Sequence, residues 1–198
     1  TLEQDLIRRD LTVNAIAQAE DGSLVDPFGG QDDIKKRVLR HVSDAFSEDP
    51  LRILRVARFA ARYHYLGFTI APETKQLLIA MVKAGELKTL TAERVWLECE
   101  KSLSDGAFSD FLNVLASIGG LSVISAELEK QWNEDTYKTL KARLEYANNH
   151  QLHDTALLFS QVTLSLSSQE INSIANTIRL PNEVRDLAIN AQTHQAVL

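Results

Sequence analysis

The chain has 198 residues, of which 44% are hydrophobic and 24% charged, and its formal net charge is −6 at neutral pH. These proportions are ordinary for a globular protein, and no apolar run approaches the roughly 20 residues that a membrane-spanning helix needs. The single cysteine, Cys99, excludes an internal disulfide framework and favours a reducing compartment, so we predict a cytoplasmic protein with no membrane partner.

The first 45 residues indicate mixed α/β structure. Residues 11–18 are apolar with polar interruptions, Asp21-Gly22 marks a turn, and residues 23–25 are typical of a short return strand. The sequence Asp-Pro-Phe-Gly-Gly at residues 26–30 predicts a loop, and residues 39–42 predict a last short strand. We therefore expect strands only within the first 45 residues.

From Ser47 onward the pattern is helical. Ser47 is predicted to cap a helix that has Pro50 in its first turn and runs to about Tyr63. Gly119-Gly120 is expected to interrupt the helices. Further helices are predicted over residues 72–82, 91–103 (capped by Thr91), 107–117, 134–148, 153–162, 168–177 and 181–196. The fold class is therefore mainly α, a small α/β remnant followed by a helical array.

The helix after Ser47 carries the pattern Glu-Asp-x-x-Arg-x-x-Arg-x-x-Arg, formed by Glu48, Asp49, Arg52, Arg55 and Arg58. Steps of three keep neighbouring side chains adjacent, so Asp49 and Arg52 should point the same way. One interpretation is an acidic helix start with a solvated basic face and an Asp49–Arg52 ion pair. No acidic residue lies between Pro50 and Pro72 to offset the repulsion among the arginines, however, and this favours a bound anion.

A carboxylate beside a guanidinium suggests a sharper function for this helix. The carboxylate only accepts hydrogen bonds and the guanidinium only donates them. Such a pair matches a base edge with an amino donor next to a ring-nitrogen acceptor, which cytosine and adenine both offer. Guanine and uracil reverse that order. Asp49 with Arg52 is therefore predicted to accept C and A and to reject G and U.

Two further motifs precede this helix. In Arg8-Arg9-Asp10-x-x-x-Asn14, arginines can bind phosphate and the aspartate a ribose hydroxyl, although charged residues at a domain edge also explain it. For residues 26–33, Asp-Pro-Phe-Gly-Gly-x-x-Asp, we favour a tight turn with a helix cap.

In this order and spacing the motifs resemble the class II nucleotidyltransferases, which comprise bacterial CCA-adding enzymes and bacterial poly(A) polymerases. The resemblance covers residues 1 to about 120. It rests on Arg-Arg-Asp-Leu-Thr-Val-Asn-Ala at 8–15, Asp-Pro-Phe-Gly-Gly-Gln-Asp-Asp at 26–33, Leu-Arg-His-Val at 39–42, residues 46–62, Leu66-Gly67-Phe68 and Glu93-Arg94-Val95-Trp96. Residues 180–187, Leu-Pro-Asn-Glu-Val-Arg-Asp-Leu, resemble the gammaproteobacterial CCA-adding branch.

The resemblance implies a head remnant at residues 1–45, a nucleotide-selecting helical neck at 46–120 and a helical body at 121–198. It implies addition of C and A to tRNA 3′ ends from CTP and ATP without a nucleic-acid template, by in-line attack of a ribose 3′-hydroxyl on the α-phosphate with release of pyrophosphate. Asp49 and Arg52 would select the nucleotide, Arg9, Arg55 and Arg58 would contact it, and Asp10 would belong to the ribose-recognising motif. The alternatives are a poly(A) polymerase and a non-catalytic RNA-binding helical module.

Two departures from the family pattern matter. The Gly-rich loop and Asp-x-Asp pair that bind Mg²⁺ in the family do not occur in the chain, which opens at Thr1, so we expect the metal site upstream and the chain alone to be inactive. Many relatives also carry an HD-type phosphohydrolase in the C-terminal half. Here His153-Asp154 lacks the other metal-binding residues, and we interpret it as a helix start in a degenerate region.

Overall fold

The structure, a computed structural model, describes residues 1–194; the predicted end of the last helix, residues 195 and 196, lies outside them. Helices dominate, which confirms the predicted fold class. Their bounds are Leu2–Leu6 (α1), Gly30–Lys36 (α2), Leu51–Arg62 (α3), Pro72–Lys83 (α4), Ala92–Ser104 (α5), Phe108–Ser117 (α6), Ala126–Gln131 (α7), Glu134–Asn149 (α8), Thr155–Thr163 (α9), Ser168–Ile178 (α10) and Asn182–His194 (α11).

Most long helices lie where the sequence predicts them, but the short ones do not follow from the pattern. Helices α1, α2 and α7 were not predicted, because five to seven residues are too few to establish a 3.6-residue period. The break at Gly119-Gly120 is confirmed, and Gly119 has a positive φ of 74°. Periodicity is therefore reliable here only for helices of about nine residues or more.

The predicted cap of α3 is wrong. Ser47 lies in a 3-10 turn over Asp44–Glu48, where its hydroxyl donates to the Asp44 carbonyl at 2.7 Å. Pro50 is the residue before the first helical turn, and the carboxylate of Asp49 accepts from the Leu51 backbone N–H at 3.1 Å. Asp49 thus does the capping that the sequence assigned to Ser47.

Strands are short and occur in two pairs. Ala17–Gln18 (β1) pairs antiparallel with Leu24–Val25 (β2), which confirms the predicted turn between them. Val38–Leu39 (β3) pairs parallel with Thr69–Ile70 (β4). The prediction that strands stop before residue 45 is therefore wrong, because β4 lies beyond α3 and returns to the head. A strand of two residues is too short for an alternation of polar and apolar residues to be recognised in the sequence.

One cluster of buried side chains runs from the head remnant through the neck into the body. Leu11 and Leu39 belong to it at one end, and Ile174 and Ala188 at the other. Trp96, Leu103, Phe108, Phe111 and Leu112 are buried, whereas Leu97 is 46% exposed. The division at residues 45 and 120 stays a prediction.

A T-shaped contact between Trp96 of α5 and Phe159 of α9, with ring centroids 5.7 Å apart, joins these two helices. None of the helices within residues 1–194 combines the length and the apolar character needed to cross a lipid bilayer.

The loop at residues 26–33 is a tight turn that caps α2, as predicted. Both carboxylate oxygens of Asp26 accept from backbone N–H groups, those of Gly30 at 2.7 Å and Gln31 at 2.8 Å. Gly30 then packs directly on the 3-10 turn Thr12–Asn14, so that a Cβ at this position would lie 2.1 Å from the Thr12 carbonyl oxygen.

We predict that Gly30→Ala lowers the free energy of unfolding by about 3 kcal/mol or more, because the overlap is with backbone that no rotamer change relieves. Gly29→Ala is the matched control: its φ is 73° and a Cβ there would meet nothing within 4 Å, so only backbone strain of about 1–2 kcal/mol is added. Urea unfolding of both variants measures the difference. Equal losses would contradict the close approach of α2 to this turn.

Candidate nucleotide-selecting site

Helix α3 positions the candidate site because one of its faces is apolar and buried, while charged side chains leave the helix beside that face. Ile53, Leu54 and Ala57 are fully buried on the side that packs against α5 and α6. The three arginines of the predicted motif leave the helix beside this apolar face, toward carboxylates of other segments. Apolar packing thus fixes the helix, and the helix fixes where each guanidinium begins.

Asp10 brings two of the predicted residues together. The Nε of Arg55 donates to its Oδ2 at 2.6 Å, and the Nε of Arg52 lies 3.4 Å from its Oδ1. The Asp10 side chain is only 10% exposed. Two guanidinium groups thus contact one carboxylate that has little exposure to solvent. The head motif and the neck motif therefore meet at one carboxylate.

Arg52 also fastens the head to the neck through backbone oxygens. Its Nη1 donates to the Ala45 carbonyl at 2.5 Å, and its Nη2 donates to the Arg8 carbonyl at 2.6 Å. With the contact to Asp10, three of its five N–H donors have partners. Its side chain is 12% exposed.

Asp49 does not pair with Arg52, and the predicted ion pair between them is wrong. Its two carboxylate oxygens instead accept from the Nη2 of Arg94 on α5, each at 3.0 Å. Oδ1 also accepts from the Leu51 backbone N–H. The side chain is 40% exposed, and a carboxylate has about four acceptor positions, so one remains open.

Arg58 lies in a different, buried group of charges. Its Nε donates to Oε2 of Glu98 at 2.8 Å, and its Nη1 donates to Oδ2 of Asp105 at 3.2 Å. Glu98 is 1% exposed and also accepts from Lys101, while Arg62 reaches the other oxygen of Asp105 at 3.3 Å. The protein therefore supplies the anions itself, and the argument that these arginines require a bound anion was wrong.

Burial raises the pKa of Glu98, but hydrogen bonds from Lys101 and Arg58 outweigh it, and the pKa of this carboxyl is lowered overall. Burial lowers the pKa of Arg58, and its bonds to Glu98 and Asp105 reverse this, so that the pKa is raised. Both groups are therefore charged at neutral pH. The ion pair of Arg58 with Glu98 therefore joins α3 to α5.

Arg9 is the most exposed of the predicted site residues. Its Nη2 donates to Oδ2 of Asp5 one helical turn earlier at 2.8 Å, and its side chain is 52% exposed. An exposed pair of this kind contributes little to stability, so Arg9 is free to exchange Asp5 for another anion. Arg8 beside it is 72% exposed and lies 3.9 Å from Glu48.

Sequence reasoning missed Arg94, Glu98 and Asp105. Arg94 stands in the quoted Glu93-Arg94-Val95-Trp96 stretch, but nothing in its spacing points to Asp49, 45 residues earlier. The one available signal was Glu98, an acidic residue between the buried Trp96 and Cys99 on an amphipathic helix. Its position predicts a buried carboxylate in need of a cation.

His153-Asp154 is a helix start, as predicted. Asp154 is the N-cap of α9, and its Oδ1 accepts from the Leu157 backbone N–H at 2.8 Å. Within residues 1–194 no group of three or more His, Cys, Asp or Glu side chains is placed to hold a metal ion.

We predict that Arg58→Met lowers the free energy of unfolding by about 3–5 kcal/mol, because it leaves Glu98 buried with Lys101 alone. Arg62→Met is the matched control, since its 49% exposed side chain shares Asp105 and its loss should cost less than about 1 kcal/mol. Chemical denaturation at neutral pH measures both. Similar losses of unfolding free energy in the two variants would show that the burial of Arg58 does not determine its contribution to stability.

The same pair predicts a pH dependence. The lowered pKa of Glu98 contributes stability that is present above its ordinary value of 4.5 and is lost as pH falls through the folded value. In Arg58→Met, burial dominates and favours the protonated acid. The unfolded chains titrate alike, so the stability gap between wild type and variant should begin to narrow as pH falls through the variant's folded pKa, above 4.5. It should go on narrowing until pH falls below the lowered folded pKa of the wild type. A gap that is constant between pH 7 and pH 4 would contradict the assignment.

Comparison with known proteins indicates the family to which the chain belongs. Residues 1–40 match the family model described as the poly(A) polymerase head domain, and residues 67–131 match that of a probable RNA- and SrmB-binding site of polymerase A. The chain is 44% identical to a multifunctional CCA protein of Aliivibrio salmonicida, over 98% of the chain and 54% of that protein.

Comparison with solved structures indicates the same family. A tRNA-processing enzyme with CTP has a TM-score of 0.81 and 30% identity, over 100% of this chain and 56% of the other. A tRNA nucleotidyltransferase complexed with a primer tRNA and an incoming ATP analogue has a TM-score of 0.78 and 30% identity, over 98% of this chain and 59% of the other. The chain spans about half the length of these relatives. It belongs to the nucleotidyltransferase family that contains the CCA-adding enzymes and the poly(A) polymerases.

Proposed function

We propose that the chain is the nucleotide-selecting part of an enzyme that adds C and A to the 3′ end of tRNA from CTP and ATP, without a nucleic-acid template. The observation that carries the proposal is the junction at Asp10, where Arg52 and Arg55 meet the head beside the exposed carboxylate of Asp49. Relatives of the same fold bind CTP, or a primer tRNA with an ATP analogue, which supports these substrates.

Selection of the base is assigned to Asp49 and Arg52. Asp49 has one acceptor position left for an exocyclic amino group, and Arg52 has two N–H donors left for a ring nitrogen. A base can therefore bind without breaking the contacts that hold either side chain. Arg94 fixes the carboxylate, and a fixed carboxylate repels the carbonyl of uracil or guanine at no further cost in side-chain ordering.

The other residues are assigned to the sugar and the phosphates. Asp10 would accept from a ribose hydroxyl, and Arg55, whose side chain is 32% exposed, would bind phosphate with the exposed Arg9. Nucleotide contact by Arg58 stays a prediction, and its 8% exposure favours a positioning role instead. By this account Arg58 holds α3 in place while its exposed neighbours bind the ligand.

Members of this family generally use Mg²⁺, and the described residues do not fit such a site. The carboxylates around the junction are occupied by arginines: Asp10 by Arg52 and Arg55, and Asp49 by Arg94. We propose that Mg²⁺ is bound by carboxylates in a longer protein outside this chain, and that the chain alone binds nucleotides without transferring them. No step of selection as described here passes through the metal.

Two alternatives remain testable. A poly(A) polymerase is favoured by the description of the head-domain model, and it would take ATP and refuse CTP. A non-catalytic RNA-binding module would bind tRNA without saturable binding of CTP or ATP. Incorporation of CMP onto a tRNA that lacks its CCA end, by the longer protein, separates the proposed function from both.

We predict that Asp49→Ala changes the ratio between nucleotides, whereas Arg55→Ala weakens all of them alike. Loss of the carboxylate removes both the attraction to an amino group and the repulsion of a carbonyl. A charged hydrogen bond contributes roughly 1.5–3 kcal/mol, so discrimination against UTP and GTP should fall about tenfold to a hundredfold. Calorimetric titration of each variant with CTP, ATP, UTP and GTP gives both quantities.

Glu48→Ala is the matched control, because it removes the neighbouring negative charge from an exposed side chain and should leave the ratio unchanged. If Asp49→Ala and Arg52→Ala lower the affinity for CTP and ATP while discrimination against UTP and GTP stays intact, the two residues do not select the base. Helix α3 would then bind only phosphate.

A further inference from the structure

We propose that His41 is a positioning residue for Arg52 and acts on it as a neutral imidazole. Thr74 anchors the imidazole, and the imidazole supports the ring of Phe46, against which Arg52 lies. The proposal rests on the proposed function, because it concerns the selection of CTP over UTP by Arg52. His41 belongs to the Leu-Arg-His-Val stretch at residues 39–42, which contributes no residue to the nucleotide-selecting site.

The contact with Thr74 decides which nitrogen of the imidazole carries the proton. The Thr74 hydroxyl oxygen accepts from the His41 backbone N–H at 3.1 Å and lies 2.7 Å from Nδ1 of the same residue. Thr74 is fully buried, and within residues 1–194 its hydroxyl meets no other acceptor. The hydroxyl therefore donates its proton to Nδ1, and the proton of the neutral ring lies on Nε2.

Protonation of Nδ1 would break this arrangement. An N–H would then point at the Thr74 hydroxyl, whose own proton would lose its acceptor, and a buried donor without a partner is unfavourable. Thr74 also lies in the first turn of α4, at the positive end of the helix dipole, which repels an imidazolium. The imidazole therefore holds its place between the two elements only in the neutral form.

The charged groups near His41 agree with a neutral ring. Burial lowers its pKa, Asp44 raises it and Arg40 lowers it, and the pKa is lowered overall. The attraction of Asp44 is weakened because this residue is exposed to solvent. Asp33 of α2 and Glu73 of α4 are already paired with Arg40, so neither is available to an imidazolium.

One path from His41 to Arg52 runs through side chains. The imidazole makes a T-shaped contact with Phe46, with ring centroids 5.8 Å apart, and the guanidinium carbon of Arg52 lies 6.0 Å from the centroid of the same ring. The carbonyl of Ala45, just before Phe46, accepts from Arg52. This ring and this carbonyl together fix where the guanidinium lies, and His41 supports the 3-10 turn that carries both.

A second path runs through the backbone. His41 pairs with Leu11 in an isolated antiparallel bridge, and Leu11 follows Asp10, whose carboxylate contacts Arg52. Both supports of the guanidinium, the turn and the carboxylate, therefore lie next to His41. Through Thr74 they are connected to α4. A charged imidazole would also bring a second cation to the Phe46 ring beside that of Arg52.

The test follows the ratio of CTP affinity to UTP affinity by calorimetric titration between about pH 8 and pH 5, where a histidine titrates. Both nucleotides carry a triphosphate, so titration of the phosphates cancels in the ratio. We expect the ratio to fall about threefold to tenfold, the effect of one lost hydrogen bond. The fall should follow the folded pKa of His41, which lies below its ordinary value of 6.5, because only the neutral ring holds Arg52 in place.

Two variants of His41 separate its acceptor from its bulk. His41→Asn keeps an acceptor near the position of Nδ1 but cannot be protonated, so its ratio should stay within about twofold of the wild type and should not change with pH. His41→Leu offers no acceptor and should lower the ratio at pH 8 about threefold to tenfold. His64→Asn is the matched control, since His64 is 62% exposed and lies 3.7 Å from Asp110. It should leave the ratio and its pH dependence unchanged.

Nitrogen NMR supplies two readouts that need no nucleotide. The neutral ring of His41 should show the tautomer that is protonated on Nε2. The Nε–H signal of Arg52, assigned by its loss in Arg52→Lys, should shift with the same pKa as His41. In His41→Asn this signal should be independent of pH over that range.

Three results would overturn the proposal. They are a neutral His41 ring protonated on Nδ1, an Arg52 signal that does not respond to the titration of His41, and a preference for CTP that His41→Leu leaves unchanged. A wild type that binds CTP and UTP alike at pH 8, while its Arg52 signal follows His41, has a different meaning. That result would support the positioning of Arg52 and contradict the selectivity assigned to it in the proposed function.

Discussion

The structure depends most on the contact between one carboxylate of the head and two guanidinium groups of the neck. Asp10 has little access to water, so its charge must be balanced within the protein, and Arg52 and Arg55 supply that balance from successive turns of one helix. Arg52 extends the contact to two backbone carbonyls. A segment whose own helices and strands are short is thereby held against a long helix, and the residues that would recognise a nucleotide are held with it.

A second set of charged side chains orients the same helix, α3, at a position closer to its C-terminal end. Arg58 is bound between Glu98 and Asp105, and the surrounding apolar side chains exclude water from the pair. The two sets of charges differ in exposure although their arginines belong to the same three-residue repeat of α3. The outer set retains unused donors and an acceptor that a ligand can occupy, whereas the inner set retains almost no exposed surface. Under the proposed function, position along the helix, and not residue type, decides which arginine binds the ligand and which holds the helix in place.

The sequence by itself determined the mainly helical class, most of the long helices and the family, because periodicity and motif spacing are local properties that survive without coordinates. It also predicted a nucleotide-binding group of Arg9, Asp10, Asp49, Arg52, Arg55 and Arg58, of which the structure joins Asp10, Arg52 and Arg55 directly. Only the tertiary structure decided who pairs with whom: Asp49 with Arg94 instead of Arg52, and the supposedly unbalanced arginines with carboxylates about 40 residues away. The return of β4 to the head was likewise invisible. Such contacts join segments whose separation along the chain carries no periodic signal, and they form because a buried charge must find a partner wherever the fold brings one within reach.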